Sequence, residues 1–202
     1  MNQSVIVSIV FICLLFLTNI TYAVINTPHQ VCFFPEQACL AKITQTINAA
    51  KKSIYLQASN LTSDSITRAL VNARAKGIKV RVLLDKSQWQ VHRYSASRYL
   101  VREGIPVWID FHEDFANTNL LIVDNKKVVL GGLNYHENQS GHISDHVLFI
   151  DNKTLANIYL AQWQVRKNAA KRLVFPVRRY GQDHRGVFSV PTAVKVFMQI
   201  GR

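Results

Sequence analysis

The chain has 202 residues, of which 49% are hydrophobic, and 24 Lys and Arg against 12 Asp and Glu give it a formal net charge of +12. This length suffices for one compact domain with a proper core and is too short for two ordinary domains, so a modular protein is excluded. The basic excess favours polyanionic partners, either nucleic acid or an anionic membrane surface, although a solvated basic surface without a ligand stays open.

Residues 1–23 have the pattern of a secretory signal peptide. An almost wholly apolar run from Val5 to Leu17 is followed by a polar break and by Thr21-Tyr22-Ala23, which places small residues at two positions of a cleavage site. No Lys or Arg precedes the run, so an uncleaved membrane anchor stays as an alternative, although a spanning helix usually needs about 20 apolar residues. We expect export, to the periplasm or out of the cell.

Two cysteines remain after Cys13 leaves with the signal peptide. Cys32 and Cys39 enclose six residues, and an even pair in an oxidising compartment indicates a small disulfide loop. Two unpaired, buried thiols are the alternative. The pair lacks the spacing and the nearby histidines of a zinc site, so no metal site is expected there.

Helices and strands alternate through the middle of the chain. Apolar residues recur at helical spacing from Ala41 to Ala50, and a second helix begins at an N-cap in Thr62-Ser63-Asp64 and stops at Gly77. Further expected elements are strands at 53–58, 79–84 and 106–109, a helix at 95–102 that stops at Gly104, strands at 120–123, 127–130 and 147–150, and a helix at 154–168. Successive αβ units and the hairpin turn at 124–126 predict an α/β fold, a mixed β-sheet flanked by helices.

The character of the chain changes near its end. Residues 174–202 begin with a polar, basic stretch and finish with an apolar one, and we interpret them as a basic C-terminal extension of uncertain order. The expected organisation is therefore a signal peptide at 1–23, one domain at 24–173 and the extension at 174–202.

The segment most informative about function runs Asn117-Thr118-Asn119-Leu120-Leu121-Ile122-Val123-Asp124 and is soon followed by Gly131-Gly132-Leu133-Asn134. Here the sequence resembles the phospholipase D superfamily, in particular its short bacterial single-motif endonucleases and phospholipase D-like secreted proteins. The resemblance covers roughly Val31 to Arg166. It includes stretches such as 50–58, 82–87 and 104–110 in the same order as in the family.

The resemblance implies a phosphodiesterase that needs no metal and no cofactor. The family motif is His-x-Lys-x4-Asp followed by Gly-Ser-x-Asn, and its histidine attacks phosphorus to give a phosphohistidine. A second histidine protonates the leaving oxygen, while lysine and asparagine side chains hold the phosphoryl oxygens. A short chain carries one copy of the motif, so the resemblance also implies a homodimer that completes the site.

Three positions of this chain depart from that motif. Asp124 and Asn134 match it, and Asp145 lies near a family acidic position that partners the histidine. Asn117, however, stands in the histidine place, Asn119 in the lysine place and Leu133 in the serine place. A carboxamide is neither a useful nucleophile nor a proton shuttle near neutral pH, whereas imidazole is both. These residues therefore predict impaired or lost catalysis.

Several interpretations stay open at this point. Another histidine, above all His136 two residues beyond Asn134, is a candidate substitute nucleophile. The chain is either an exported phosphodiesterase acting on nucleic acid or phospholipid, a pseudoenzyme that still binds such ligands through its charge, or a decaying gene product. Measurement of salt-dependent DNA binding beside liposome binding would do most to decide between nucleic acid and lipid as the ligand.

Overall fold

A single mixed β-sheet with helices on both faces organises the chain. The computed structural model describes residues 28–34, 37–59, 61–86, 96–111, 119–132 and 145–174. Its strands are β1 (His29–Phe33), β2 (Ser53–Ala58), β3 (Lys79–Asp85), β4 (Val107–Asp110), β5 (Leu120–Val123), β6 (Lys127–Leu130), β7 (His146–Asp151) and β8 (Lys171–Arg172), and its helices are α1 (Gln37–Asn48), α2 (Asp64–Ala75), α3 (Ala96–Arg102) and α4 (Lys153–Ala169).

The sheet has eight strands in the order β1-β7-β6-β5-β2-β3-β4-β8. Strands β2, β3 and β4 are parallel, and every other pairing is antiparallel. Parallel neighbours need crossover connections, and here α2 and α3 lie between those strands in the chain. The predicted α/β class and its mixed sheet are confirmed.

Two apolar layers cover the two faces of the sheet. The larger core packs α1, α2 and α3 against one face, with fully buried residues such as Ile43, Leu70 and Leu100. The smaller core lies under α4, where Trp163 is fully buried, packs edge-on against Tyr55 and Trp108, and donates its indole N–H to the carbonyl of Leu56 at 3.1 Å. Within the described residues, α4 thus covers this face of strands β2 to β6.

Local signals in the sequence set most element boundaries. The Ser63 hydroxyl accepts from the N–H of Ile66 at the start of α2, and Gly77 and Gly104 follow α2 and α3 with φ of 83° and 74°. Asp124 and Asn125 have φ of 54° and 53° in the β5–β6 turn, as a tight hairpin requires. These predicted caps, stops and turns are confirmed.

Two edge strands, β1 and β8, were not expected from the sequence. Both are largely exposed, so they lack the apolar pattern on which strand prediction depends. They pair with β7 and β4 respectively, at opposite edges of the sheet. The expected helix near Ala41 begins earlier, at Gln37, and the last helix runs from Lys153 to Ala169.

The predicted disulfide joins β1 to α1. The Cys32 and Cys39 sulfurs are bonded, with Cα atoms 5.5 Å apart, and both residues are buried. The bond fixes the edge strand to the first helix, and the alternative of two unpaired thiols is wrong.

Residues 1–27 and 175–202, which hold the expected signal peptide and most of the extension, lie outside the described residues. In the part of the chain that the structure describes, no helix has the length and hydrophobicity to cross a membrane.

Candidate active site

Polar residues gather where the three parallel strands end. Ser59 follows β2 directly, while Asp85 and Asp110 are the last residues of β3 and β4 and face each other in the register of the sheet. All three are at least 95% buried. Ligands of open α/β sheets bind beyond the carboxyl ends of the strands, so this edge, which we call the site edge, is the expected place for a site.

Asn119 lies on the site edge at the start of β5. Because β5 runs antiparallel to β2, its first residues meet the last residues of that strand. The side-chain oxygen of Asn119 accepts from the backbone N–H of Ser59 at 3.1 Å and from its hydroxyl at 3.3 Å. The carboxamide oxygen is thus occupied by the neighbouring strand, and the residue is half-buried.

Gly131 and Gly132 let β6 and β7 lie close together beside Asn119. The N–H of Gly131 donates to the carbonyl of Asn119 at 3.2 Å. A Cβ at Gly131 would lie 2.3 Å from the carbonyl oxygen of His146, and one at Gly132 would lie 2.5 Å from the ring of Phe34. Both glycines have positive φ. Only residues without a side chain let β6 end this tightly against β7 and the end of β1.

Asp145 also reaches the site edge. Its carbonyl accepts from the N–H of Phe34 at 2.8 Å, and its carboxylate accepts from the N–H of His146 at 2.7 Å. It lies beside β6, two strand positions from Asn119, a separation of about 10 Å at the usual spacing of strands. The structure therefore places two of the predicted site residues, Asn119 and Asp145, on one edge.

Asp124 lies at the opposite end of β5. Asn119 and Asp124 flank the four residues of that strand, and the five residue steps between them span roughly 17 Å at the usual rise per residue. Its carboxylate accepts three backbone N–H groups, from Lys51 at 2.9 Å, Lys52 at 2.7 Å and Ser53 at 2.9 Å. Asp124 therefore ties the hairpin to the turn between α1 and β2, and it does not contact the site edge.

The same contacts lower the pKa of the Asp124 carboxyl group. Partial burial alone would raise the pKa of Asp124, but the three backbone N–H donors and the nearby charge of Lys52 outweigh burial. The pKa of Asp124 consequently lies below its ordinary value of 3.8, because hydrogen bonds and positive charge favour the ionised form.

A partly buried ion pair between Arg166 and Asp110 lies at the β4 side of the site edge. The Arg166 Nε and Nη2 atoms both donate to one Asp110 carboxylate oxygen, at 2.9 and 2.6 Å. This pair connects α4 to the carboxyl end of β4.

Three residues of the site edge, Ser59, Asp85 and Asp110, are absent from the predicted site residues. Each is a polar residue at the end of a buried strand or directly after it, and this pattern is a sequence signal that would have found them.

The remaining predicted site residues, Asn117 and Asn134, lie outside the described residues, as do Leu133 and His136. Their expected roles stay predictions. Within the described ranges, no three His, Cys, Asp or Glu side chains come together in the way that a metal ion would require.

Comparison with known proteins identifies the family. Residues 43–165 match the family model described as "Cardiolipin synthase, PLD-like domain". The chain belongs to the phospholipase D superfamily. The predicted membership is confirmed, and the matched residues include Ser59, Asp85, Asp110, Asn119 and Asp145 of the site edge.

Curated relatives and a solved structure agree with this membership. The chain is 35% identical over 146 residues to "Phospholipase D" of Rickettsia prowazekii, covering 72% of this chain and 71% of the relative. It is 38% identical to the protein of the same name from Rickettsia conorii, over 68% of each chain. The crystal structure of the phospholipase D family member Nuc from Salmonella typhimurium superposes with a TM-score of 0.66 and 28% identity, over 72% of this chain and 97% of Nuc.

Proposed function

We propose that this chain is an exported phospholipase D-type phosphodiesterase by descent, in which catalysis is weak or lost. The observation that carries the proposal is the state of Asn119, which stands where the family motif has lysine. Its oxygen is held by Ser59, so what the Asn119 side chain can offer a ligand is its neutral amide N–H. A neutral donor forms a hydrogen bond roughly half as strong as a charge-assisted one.

The chemistry of Asn117 supports the same proposal. Phosphohistidine formation needs a nucleophilic ring nitrogen, and a carboxamide nitrogen has no available lone pair of comparable reactivity. Removal of the nucleophile from an enzyme whose groups act together can cost on the order of 10⁶ in turnover. Loss of both groups therefore predicts hydrolysis at or near background.

The ligand of the site is, in this proposal, a phosphodiester group. Phospholipids and nucleic acids both present that group, and the relatives named "Phospholipase D" support phospholipid. The formal charge of +12 attracts either polyanion. Export through the predicted signal peptide would place the protein in the periplasm or outside the cell.

A homodimer is part of the proposal, because one chain has only one copy of the motif. An exposed apolar patch next to the site edge supports it. Val31 and Phe33 on β1 are 46% and 63% exposed, and their register partners Leu148 and His146 lie beside them on β7. A second copy that covered this patch would also reach the site edge, since Phe33 is paired with His146 at its rim.

Hydrolysis assays on the purified chain test the proposal. With EDTA present, we expect little or no turnover of plasmid DNA, RNA or phosphatidylcholine. The double variant Asn117→His/Asn119→Lys should regain metal-independent hydrolysis, with the single Asn119→Lys variant as the matched control that restores charge without a nucleophile. Strong wild-type turnover would refute the loss of catalysis, and its disappearance in His136→Ala would assign the nucleophile to that histidine.

The second candidate function is a non-catalytic protein that binds nucleic acid or anionic lipid. It is favoured by the excess of positive charge together with the amide of Asn119, which still offers a hydrogen-bond donor. Binding without hydrolysis, weakened by salt and little changed in Asn119→Ala, would support binding through the charged surface. Binding that the same substitution abolishes would instead place the ligand at the site edge.

A further inference from the structure

The outward face of α4 is uncharged and partly apolar. The helix buries Ala156 and Trp163 against the sheet, while Ile158 and Val165 on the other side are 62% and 63% exposed. These two residues are seven positions apart, which places them on one face two turns from each other. No charged residue lies between Lys153 and Arg166, and the helix has no acidic residue at all.

Cations cluster where this face ends. Lys171 and Arg172 form the exposed strand β8 directly after α4. The Lys167 Nζ atom lies 5.5 Å from the centre of the Trp108 ring, the guanidinium carbon of Arg172 lies 6.0 Å from the same ring, and Lys171 Nζ lies 5.3 Å from the centre of the Phe111 ring. Aromatic rings within about 6 Å attract cations. Lys167 and Arg172 therefore lie together beside Trp108 on the α4 side of the sheet, whereas Lys171, opposite Ile109 in the register, lies on the other side with Phe111.

The chemistry of this surface distinguishes between possible partners. Nucleic acid is bound by cations along a groove and by open aromatic faces, whereas the face of α4 is uncharged and the Trp108 ring already carries two cations. A second copy related by a two-fold axis would bring like charges together, which is unfavourable. A bilayer with anionic headgroups provides an apolar boundary for the exposed aliphatic side chains and negative charge for the cations.

We propose that the outward face of α4 together with β8 docks the protein on an anionic phospholipid bilayer. Ile158 and Val165 enter the boundary between headgroups and acyl chains, and Lys167 and Arg172 contact lipid phosphates. The docking requires no hydrolysis by the protein.

Docking in this way would also orient the site edge. The helix starts beside the β5–β6 turn, where the N–H of Asn152 donates to the carbonyl of Lys126, and it ends at the carboxyl end of β4, where Arg166 pairs with Asp110. The cations therefore lie at the end of α4 nearest the site edge. Asn119 is three strand positions from β4, a distance of about 14 Å at the usual spacing. This orientation, unlike the docking itself, rests on the proposed function.

Vesicle sedimentation with the full chain tests the docking. Phosphatidylcholine vesicles with and without phosphatidylglycerol are compared at low and at high salt, and we expect binding only to the anionic vesicles. The Lys167→Ala/Arg172→Ala variant should bind roughly thirty-fold more weakly, given the usual contribution of a basic residue near an anionic surface. Its matched control is Lys76→Ala/Lys79→Ala, which removes the same charge from exposed positions beyond α2.

The aliphatic contribution is measured separately. Ile158→Asn/Val165→Asn should weaken binding about ten-fold, and the loss should persist at high salt because burial of apolar surface does not depend on charge. The control Tyr99→Asn changes a residue that is 44% exposed on α3. Circular dichroism of each variant checks the fold.

Three outcomes would overturn the inference. The first is absence of binding to anionic vesicles, or equal loss in the control variants. The second is a dimer that Ile158→Asn/Val165→Asn dissociates while vesicles remain unbound, which would assign the face to a second copy. The third is DNA binding that depends on Lys167 and Arg172 without vesicle binding. Because the readout is binding, failure of the proposed function in a hydrolysis assay leaves these outcomes unchanged.

Discussion

Replacing Asp124 with asparagine should unfold the domain more readily without any direct effect at the site edge. The carboxylate accepts from three backbone N–H groups at 2.7 to 2.9 Å, and it uses both of its oxygens. An asparagine keeps one acceptor oxygen and turns an amide donor toward the N–H of Lys51 or Lys52. At least one backbone donor therefore loses its partner.

The size of the stability loss in Asp124→Asn follows from these hydrogen bonds. A hydrogen bond to a charged group contributes about 1.5–3 kcal/mol, and an unsatisfied buried donor costs about 1–3 kcal/mol. Asp124 is only half-buried, so water replaces part of what is lost. We expect the free energy of unfolding to fall by about 2–3 kcal/mol, and the midpoint of thermal unfolding to fall by roughly 5–10 °C for a domain of this size.

The difference in unfolding free energy between wild type and Asp124→Asn should depend on pH. The pKa of Asp124 is lower in the folded chain than its ordinary value of 3.8, so the carboxylate stabilises the fold fully above that value. This stabilisation is lost as the pH falls from 3.8 through the lower pKa of the folded state. The gap between wild type and Asp124→Asn should therefore be full at pH 7 and become smaller below about pH 4.

Urea denaturation at pH 7 and at pH 3, followed by tryptophan fluorescence, measures this gap. Glu103→Gln is the matched control, because it also converts an exposed acid to its amide and lies in a turn after α3. Its effect should stay within about 0.5 kcal/mol. An equal gap at both pH values, or a loss at Asp124 no larger than that of the control, would refute the reasoning.

Three further predictions concern the scaffold of the site edge. Gly131→Ala should lower the free energy of unfolding by more than about 2 kcal/mol, because its Cβ would meet the carbonyl oxygen of His146 at 2.3 Å. The control Gly77→Ala, with φ of 83° and nothing within 4 Å, should cost only about 1 kcal/mol. Equal losses in urea denaturation would contradict this prediction. Reduction of the disulfide should lower stability by about 2–3 kcal/mol, the loop-closure value for so short a loop, and an unchanged urea midpoint with dithiothreitol would count against it. Asn119→Lys alone should lower the thermal midpoint by a few degrees, because the Ser59 N–H loses its acceptor at a cost of about 1–2 kcal/mol; a more stable variant would show that this hydrogen bond is dispensable.

The core of the fold follows from patterns that the sequence displays locally. Strands β2 to β6 are short apolar runs bounded by Gly, Asp and Asn, and α2 has both an N-cap at Ser63 and a stop at Gly77. Such signals depend on neighbouring residues only. Strands β1 and β8 escape prediction because they are held by backbone pairing with β7 and β4, and exposed side chains carry no record of that pairing.

The candidate site was predictable only in part, for a related reason. The motif locates Asn119 and Asp124 in sequence, but what each side chain does depends on residues far along the chain. Asn119 is held by Ser59, 60 residues earlier, and Asp124 by amides 71 to 73 residues earlier. Contacts at such separations are set by the pairing of β5 with β2. The register of that pair, which no local pattern specifies, therefore decides both roles.

The two ends of β5 explain how the chain can match the family motif at Asp124 and depart from it at Asn119. At one end, Asp124 closes the hairpin onto the turn before β2, a contact that stabilises the fold whether or not any substrate binds. At the other end, Asn119 holds Ser59 with its oxygen and so keeps β5 joined to β2 without the positive charge of a lysine. Loss of that charge costs affinity for phosphate but little stability. The proposed loss of catalysis is therefore compatible with a folded phospholipase D scaffold, and the match at Asp124 is an indicator of fold rather than of turnover.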